Sequence, residues 1–282
     1  MTTNAESIRA KLLTVSKEKK IIFQDLLNRY GAEQFLARLS ASRYVERFIF
    51  KGGSLLTYLI ESDRRTKDLD FSVLRIGHEV EKALEVIKKI LGITLDDGLT
   101  WLSPQGAPLR HPELVYPGLR IKCPFKLGTA KGMVRMDLAA GDLVEPRKIF
   151  LARIRYRGKP LIGPDFSIMA YPPETIFAEK MQIAVKRGGQ NTRMKDYYDL
   201  FKLAQSKTLE PSLLRRSIER TFSKRTTTFT TTLDLSDENL KKLQVYWSAY
   251  LRKMTITDAP GALREVVRLV NRLLEAIHKD ER

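Results

Sequence analysis

The chain has almost no cysteine and few histidines. One cysteine, Cys123, and three histidines, His78, His111 and His278, stand among 282 residues. A lone cysteine excludes an intramolecular disulfide framework, and so small a set of Cys and His excludes a thiolate or Cys/His metal cluster. No apolar run approaches the roughly 18 residues of a membrane span. The opening MTTNAESIRAKLLTV lacks a basic n-region followed by an apolar core, so no signal peptide is expected. Together these absences point to a cytoplasmic, globular protein with no membrane partner. Acidic residues are also short: 33 Asp+Glu stand against 50 Lys+Arg, a net charge of +17. A surplus of that size suggests a polyanionic partner, and nucleic acid is the first candidate. An apolar fraction of 43% excludes a disordered chain and allows a sizeable core.

Apolar periodicity divides the chain. The first 45 residues are helical in pattern, with Ser16 placed to cap a helix from Lys17 and Gly31 placed to end it or to start a second helix, AEQFLARLSAS. A mixed α/β stretch follows to about residue 168. RFIF precedes KGGS, DLDFSVL is a second short strand, and residues 78–91 return to helical period. RIKCPFKLG, GMVRMDLA, IFLARIRYRG and FSIMAY alternate as strands between turn signals. From Pro172 onward the period is helical again, apart from the β-branched link TTTFTTT at 226–232. The expected organisation is an N-terminal domain over 1–168 and a helical C-terminal domain over 169–282.

The carboxylates carry the chemistry. Asp68-Leu69-Asp70-Phe71-Ser72-Val73 alternates strictly, so a strand puts Asp68, Asp70 and Ser72 on one face. Two carboxylates about 7 Å apart on one face repel unless a cation lies between them. A hard divalent ion with oxygen ligands, Mg²⁺ or Mn²⁺, resolves the conflict; so do salt bridges to Arg64, Arg65 or Lys67. Gly52-Gly53-Ser54, between a strand and a helix start, offers a phosphate cradle: glycines allow close backbone approach, and Ser54 adds a hydroxyl. Asp68 follows Ser54 by 14 residues, enough for a helix and a return strand. The run from Met133 to Leu138 also alternates and turns Arg135 and Asp137 to one side. If this strand neighbours the first, Asp137 completes a three-carboxylate centre. Asp142, in the following turn, competes for that place.

At these residues the sequence resembles the nucleotidyltransferase superfamily, and more narrowly the AbiEii/AbiGii-type toxins of type IV toxin–antitoxin systems, including the MenT group. One block is FKGGSLLTYLIESDRRTKDLDFSV; a second is AEKMQIAVKRGGQNTRMKDYYDLF. The resemblance implies an α+β nucleotidyltransferase fold, a mixed sheet with flanking helices, followed by a helical domain that completes the active site. It implies Mg²⁺- or Mn²⁺-dependent transfer of a nucleoside monophosphate from an NTP to RNA, especially the 3′ acceptor end of tRNA, which blocks translation. Gly52, Gly53 and Ser54 match the phosphate-binding turn, and Asp68 and Asp70 the metal carboxylates. Lys180 matches the second-domain lysine, whose point charge suits a triphosphate, and Asp196 or Asp199 the second-domain aspartate. Lys126, Thr129 and Arg135 fit a lysine-Ser/Thr-arginine block loosely, one residue tight.

The basic residues Lys186, Arg187, Arg193, Lys195, Arg215, Arg216 and Lys224 are the candidates for RNA contact, since an acceptor stem presents phosphates and 2′-hydroxyls read by shape. Tyr197 and Tyr198 read as packing residues. An antitoxin encoded by an adjacent gene is implied, without a tight heterodimer. Two other functions fit the same residues: nucleotidyl transfer to a small molecule or protein hydroxyl, and nucleic-acid binding by a degenerate site.

Overall fold

The computed structural model describes residues 4–60, 68–76, 79–109, 118–140 and 144–279. Arg64, Arg65, Lys67, His78, His111 and Asp142 lie outside them. The described residues of Met1–Leu55 and Lys67–Tyr171 form one compact unit, and those of Leu56–Thr66 and Pro172–Arg282 a second.

The first unit opens with helices α1 (Asn4–Glu18) and α2 (Phe23–Ser40). Ser16 does not start a helix. It lies near the end of α1, where its Oγ donates to Ile21 O at 2.6 Å and closes the turn into α2. Gly31 does not end a helix either. It lies inside α2 because Phe125 packs there: a Cβ on Gly31 would meet the ring at 2.3 Å, and one on Gly132 would meet it at 2.1 Å. The loss of about 1 kcal/mol in helix propensity is offset by room for a whole buried ring.

The strands are β1 (Phe48–Lys51), β2 (Asp68–Val73), β3 (Leu99–Trp101), β4 (Gln105–Leu109), β5 (Gly118–Leu127), β6 (Ala130–Ala140), β7 (Arg147–Leu151), β8 (Arg155–Tyr156), β9 (Lys159–Pro160) and β10 (Phe166–Ala170). Helix α3 (Gly52–Leu59) follows β1, and α4 (Val80–Leu91) follows β2. Among the described residues the main sheet runs β3-β5-β6-β2-β1-β10-β7, with β4 also paired to β5. The pairs β1–β10 and β2–β6 are parallel and the others antiparallel, so the sheet is mixed. The single strand expected over IFLARIRYRG is broken: its first part joins the main sheet as β7, and Arg155–Tyr156 pairs with β9 in a separate hairpin.

Alternation makes the sheet two-faced. Leu119, Ile121, Cys123 and Phe125 of β5 and Val134, Met136 and Leu138 of β6 are buried, whereas Arg120, Lys122, Arg135 and Asp137 are not. Phe35, Phe48 and Phe71 pack edge to face in the core, with Phe50 tilted against Phe71. Burial pushes the Cys123 thiol up to about 12, so it is inert. Buried polar groups tie the helices to the strands and loops. Glu33 accepts from Ile154 N–H at 2.6 Å, Gln34 accepts from Arg153 at 3.1 Å, and Arg38 pairs with Asp97.

The second unit is helical: α5 (Pro173–Arg187), α6 (Met194–Gln205), α7 (Pro211–Lys224), α8 (Asp237–Met254) and α9 (Leu263–Lys279). Pro173 opens α5, and Gly188, at φ 47°, ends it in a left-handed conformation that a side chain resists. Glu174, in the first turn of α5, is buried and accepts the Glu210 N–H at 3.0 Å. Residues 227–235 form neither helix nor strand. Among the described residues, no helix is long and apolar enough to cross a membrane.

Candidate active site

The carboxylates of the first unit meet through strand register. Parallel pairing sets Asp70 opposite Asp137 and Asp68 opposite Arg135. Antiparallel pairing sets Lys51 opposite Asp70, and Arg120 opposite Asp137. One row therefore crosses four strands in the order Lys51, Asp70, Asp137, Arg120, with a cation at each end and two carboxylates between. Paired residues share a face, so Asp68, two residues from Asp70, lies on this face as well.

Two members of this row, Lys51 and Arg120, are not among the site residues expected from the sequence. Arg120 makes a two-pronged contact with Asp137, Nε donating to Oδ1 at 2.8 Å and Nη2 to Oδ2 at 2.7 Å. This fork, with the added fields of Asp68 and Asp70, holds the guanidinium well above its ordinary range. Lys51 lies over the Tyr171 ring, 5.4 Å from its centroid. The alternation of RIKCPFKL could have signalled that Arg120 faces away from the core. That Asp137 is its partner follows only from the pairing of β5 with β6.

Gly52 adjoins this row. Its φ is +74°, and a Cβ would lie 2.2 Å from Asp70 Oδ2. Both the backbone conformation and the seat of the Asp70 carboxylate therefore require glycine. Gly53 and Ser54 follow in the first turn of α3, and Ser54 is buried.

An all-oxygen set suits a hard divalent cation, and Asp68 and Asp70 fit one. The fit stops short of the expected three-carboxylate centre. Among the described residues, no three His, Cys, Asp or Glu side chains gather to hold an ion, and both oxygens of Asp137 accept from Arg120.

The second unit holds the other candidates. Lys180 on α5 meets two carboxylates on α6: Nζ lies 2.9 Å from Asp196 Oδ1 and 2.6 Å from Asp199 Oδ2. The helices fold back across the Gly188-Gly189 break, so sequence neighbours one turn apart on α6 both reach the same ammonium. Arg193 Nε lies 3.0 Å from Asp196 Oδ2, which makes the cluster neutral. Burial would raise the Asp196 carboxyl, but the charges of Lys180 and Arg193 outweigh it and hold the group below its ordinary value. Tyr197 and Tyr198 are fully buried packing residues; Tyr198 donates to Asp258 at 2.8 Å.

The basic residues proposed for RNA divide in two. Arg193 is held by Asp196, and Arg215 by Glu219 at 2.9 Å. Lys186, Lys195, Arg216 and Lys224 are exposed, and Arg187 is half-buried. Lys126 and Arg135 stand on β5 and β6, with Thr129 in the turn between them.

The model of the AbiEii family, described as a nucleotidyl transferase toxin of type IV toxin–antitoxin systems, matches residues 34–272. No curated protein matches the chain. Two solved Helicobacter pylori structures are similar in fold. JHP933 is 16% identical at a TM-score of 0.51, covering 91% of this chain and 93% of its own. A putative nucleotidyltransferase is 14% identical at a TM-score of 0.53, covering 92% and 97%. The family match takes in both the carboxylate row and the Lys180 cluster, and the chain therefore belongs to the AbiEii family of nucleotidyl transferase toxins.

Proposed function

We propose that this nucleotidyltransferase transfers a nucleoside monophosphate from an NTP to RNA, with the 3′ acceptor end of tRNA as the target and arrest of translation as the consequence. The observation that carries the reading is the register: Asp70 stands beside Asp137 on a face shared with Asp68, and the Asp70 carboxylate rests on Gly52 at the start of the Gly52-Gly53-Ser54 turn.

In this reading Asp68 and Asp70 hold Mg²⁺ or Mn²⁺, which when bound polarises the triphosphate and offsets its charge. The glycine turn and Ser54 bind phosphate oxygens. The acceptor hydroxyl oxygen attacks the α-phosphorus; the new O–P bond forms as the α–β bond breaks, and pyrophosphate leaves. Asp137, oriented by the Arg120 fork, is the proposed acceptor of the hydroxyl proton. Lys186, Arg187, Arg193, Lys195, Arg215, Arg216 and Lys224 are the proposed RNA contacts of the second unit. Membership of a type IV system implies an antitoxin partner. The adjacent gene is where it is expected, acting without a tight heterodimer.

The test is incubation of total tRNA with each NTP separately and Mg²⁺, read on a sequencing gel. Extension at the 3′ end with at least one NTP is expected. Unextended tRNA in every lane, beside an active control enzyme, would overturn the RNA reading. Label on a protein or small-molecule acceptor instead would point to the alternative substrate.

A further inference from the structure

The β5–β6 hairpin carries a second charged feature. Its register sets Lys122 directly opposite Arg135 and Lys126 directly opposite Lys131. Positions 122 and 126 keep step with Arg120, and positions 131 and 135 with Asp137, so all four cations share the face of the carboxylate row. Lys122, Lys126 and Lys131 are exposed and Arg135 is half-buried. Like charges directly opposite one another destabilise a sheet, and here two such pairs sit on one hairpin. Among the described residues, no ion pair joins any of the four to a carboxylate, in contrast with Arg120 on Asp137, Arg193 on Asp196 and Arg215 on Glu219.

We propose that this ladder binds the sugar–phosphate backbone of the RNA acceptor and leads it along β5–β6 to the carboxylates. The proposal rests on the RNA reading above and adds the binding surface. Charge complementarity supports it: Arg135 has Asp68 opposite it on β2, whereas Lys122, Lys126 and Lys131 face only cations across the hairpin and are relieved by a polyanion. Length supports a strand over a mononucleotide. At the rise of a β-strand, the Lys122–Arg135 rung lies about 7 Å from the Arg120–Asp137 rung, and the Lys126–Lys131 rung about 20 Å from it. A triphosphate at the glycine turn would not span that distance, whereas a single strand tracked by a basic surface would.

The experiment compares three full-length proteins binding a fluorescent single-stranded RNA by anisotropy across a salt series. They are the wild type, the ladder variant K122E/K126E/K131E, and the control K241E/K242E/K253E. The control makes the same change in net charge at exposed positions of α8. The ladder variant is expected to bind at least about tenfold more weakly, with the slope of log K against log salt shallower by about 2, the value for three lost phosphate contacts on a single strand. The control is expected to lose less than about threefold, and Mg²⁺–NTP binding by calorimetry is expected to stay unchanged in both. Equal losses in the two variants, or none in the ladder variant, would overturn the proposal. RNA extension by a wild type whose ladder variant binds normally would remove the ladder alone. A wild type that neither binds nor extends RNA would remove the RNA reading with it. If the Glu substitutions disturb folding by circular dichroism, K122Q/K126Q/K131Q carries the same comparison.

Discussion

The two ionic clusters of this protein use the same residue types in opposite ways. In the first unit, Asp68, Asp70 and Asp137 stand half-exposed on an alternating sheet face, and Asp70 and Asp137 are set side by side by register. In the second unit, Asp196 and Asp199 are about 1% exposed and close on one lysine. In the proposed reading Asp68 and Asp70, near water, take a cation. Buried carboxylates already matched by Lys180 and Arg193 hold helices together. The two clusters therefore call for different responses to mutation.

The largest effect is expected at the sheet. Asp70→Asn should reduce nucleotidyl transfer by at least about 10³-fold, because it removes a charge that acts on the reacting phosphates. Its unfolding free energy should change by about 1 kcal/mol or less, since relief of repulsion from Asp68 and Asp137 is set against loss of the charge opposite Lys51. Activity and urea titrations on one preparation check both halves. Lys180→Ala should behave the other way in stability, losing about 3–5 kcal/mol because two buried carboxylates lose the ammonium they share. Adding Asp199→Asn should recover part of that loss, and a stability unchanged in Lys180→Ala would break the comparison.

Acid response sharpens the contrast further. The Asp196 carboxyl is held below its ordinary value in the folded state. Its contribution is therefore present above the ordinary aspartate range and is lost as pH falls through the folded value. Wild-type protein should lose stability over that acidic window more steeply than Asp196→Asn, measured by thermal melts across pH. Arg120→Ala is expected to act more gently. The Arg120–Asp137 fork is partly exposed, so its loss should cost about 1 kcal/mol or less. Removing a cation beside three carboxylates should tighten Mn²⁺ binding severalfold, which electron paramagnetic resonance reads directly. The smallest effect belongs to the exposed cations of the second unit. Replacing Lys186, Arg216 and Lys224 together by Gln should weaken RNA use by a few-fold and leave NTP binding alone, measured by gel and calorimetry.

Much of this arrangement is legible in the sequence where it depends on local alternation or helical period. The outward Asp68, Asp70 and Asp137 follow from a period of 2, and the shared helix face of Asp196 and Asp199 from a period of 3.6, whereas their link to Lys180 comes only from the family resemblance. What depends on partners far along the chain is not legible. Arg120 meets Asp137 only because β5 lies against β6, and the opposed cations of the ladder arise from the same register. Gly31 looks like a helix end, yet a ring contributed by Phe125 decides its place. Ser16 carries cap chemistry, but it spends its hydroxyl on Ile21 at the other end of a helix.

The central claim is that the carboxylate row performs NTP-dependent transfer to RNA. It is tested most directly by the label incorporated into total RNA from each α-labelled NTP, using wild type and Asp70→Asn matched for thermal stability. The account predicts label from at least one NTP with the wild type and background alone with Asp70→Asn. Equal incorporation by the two proteins, or none by the wild type with any NTP, would contradict it.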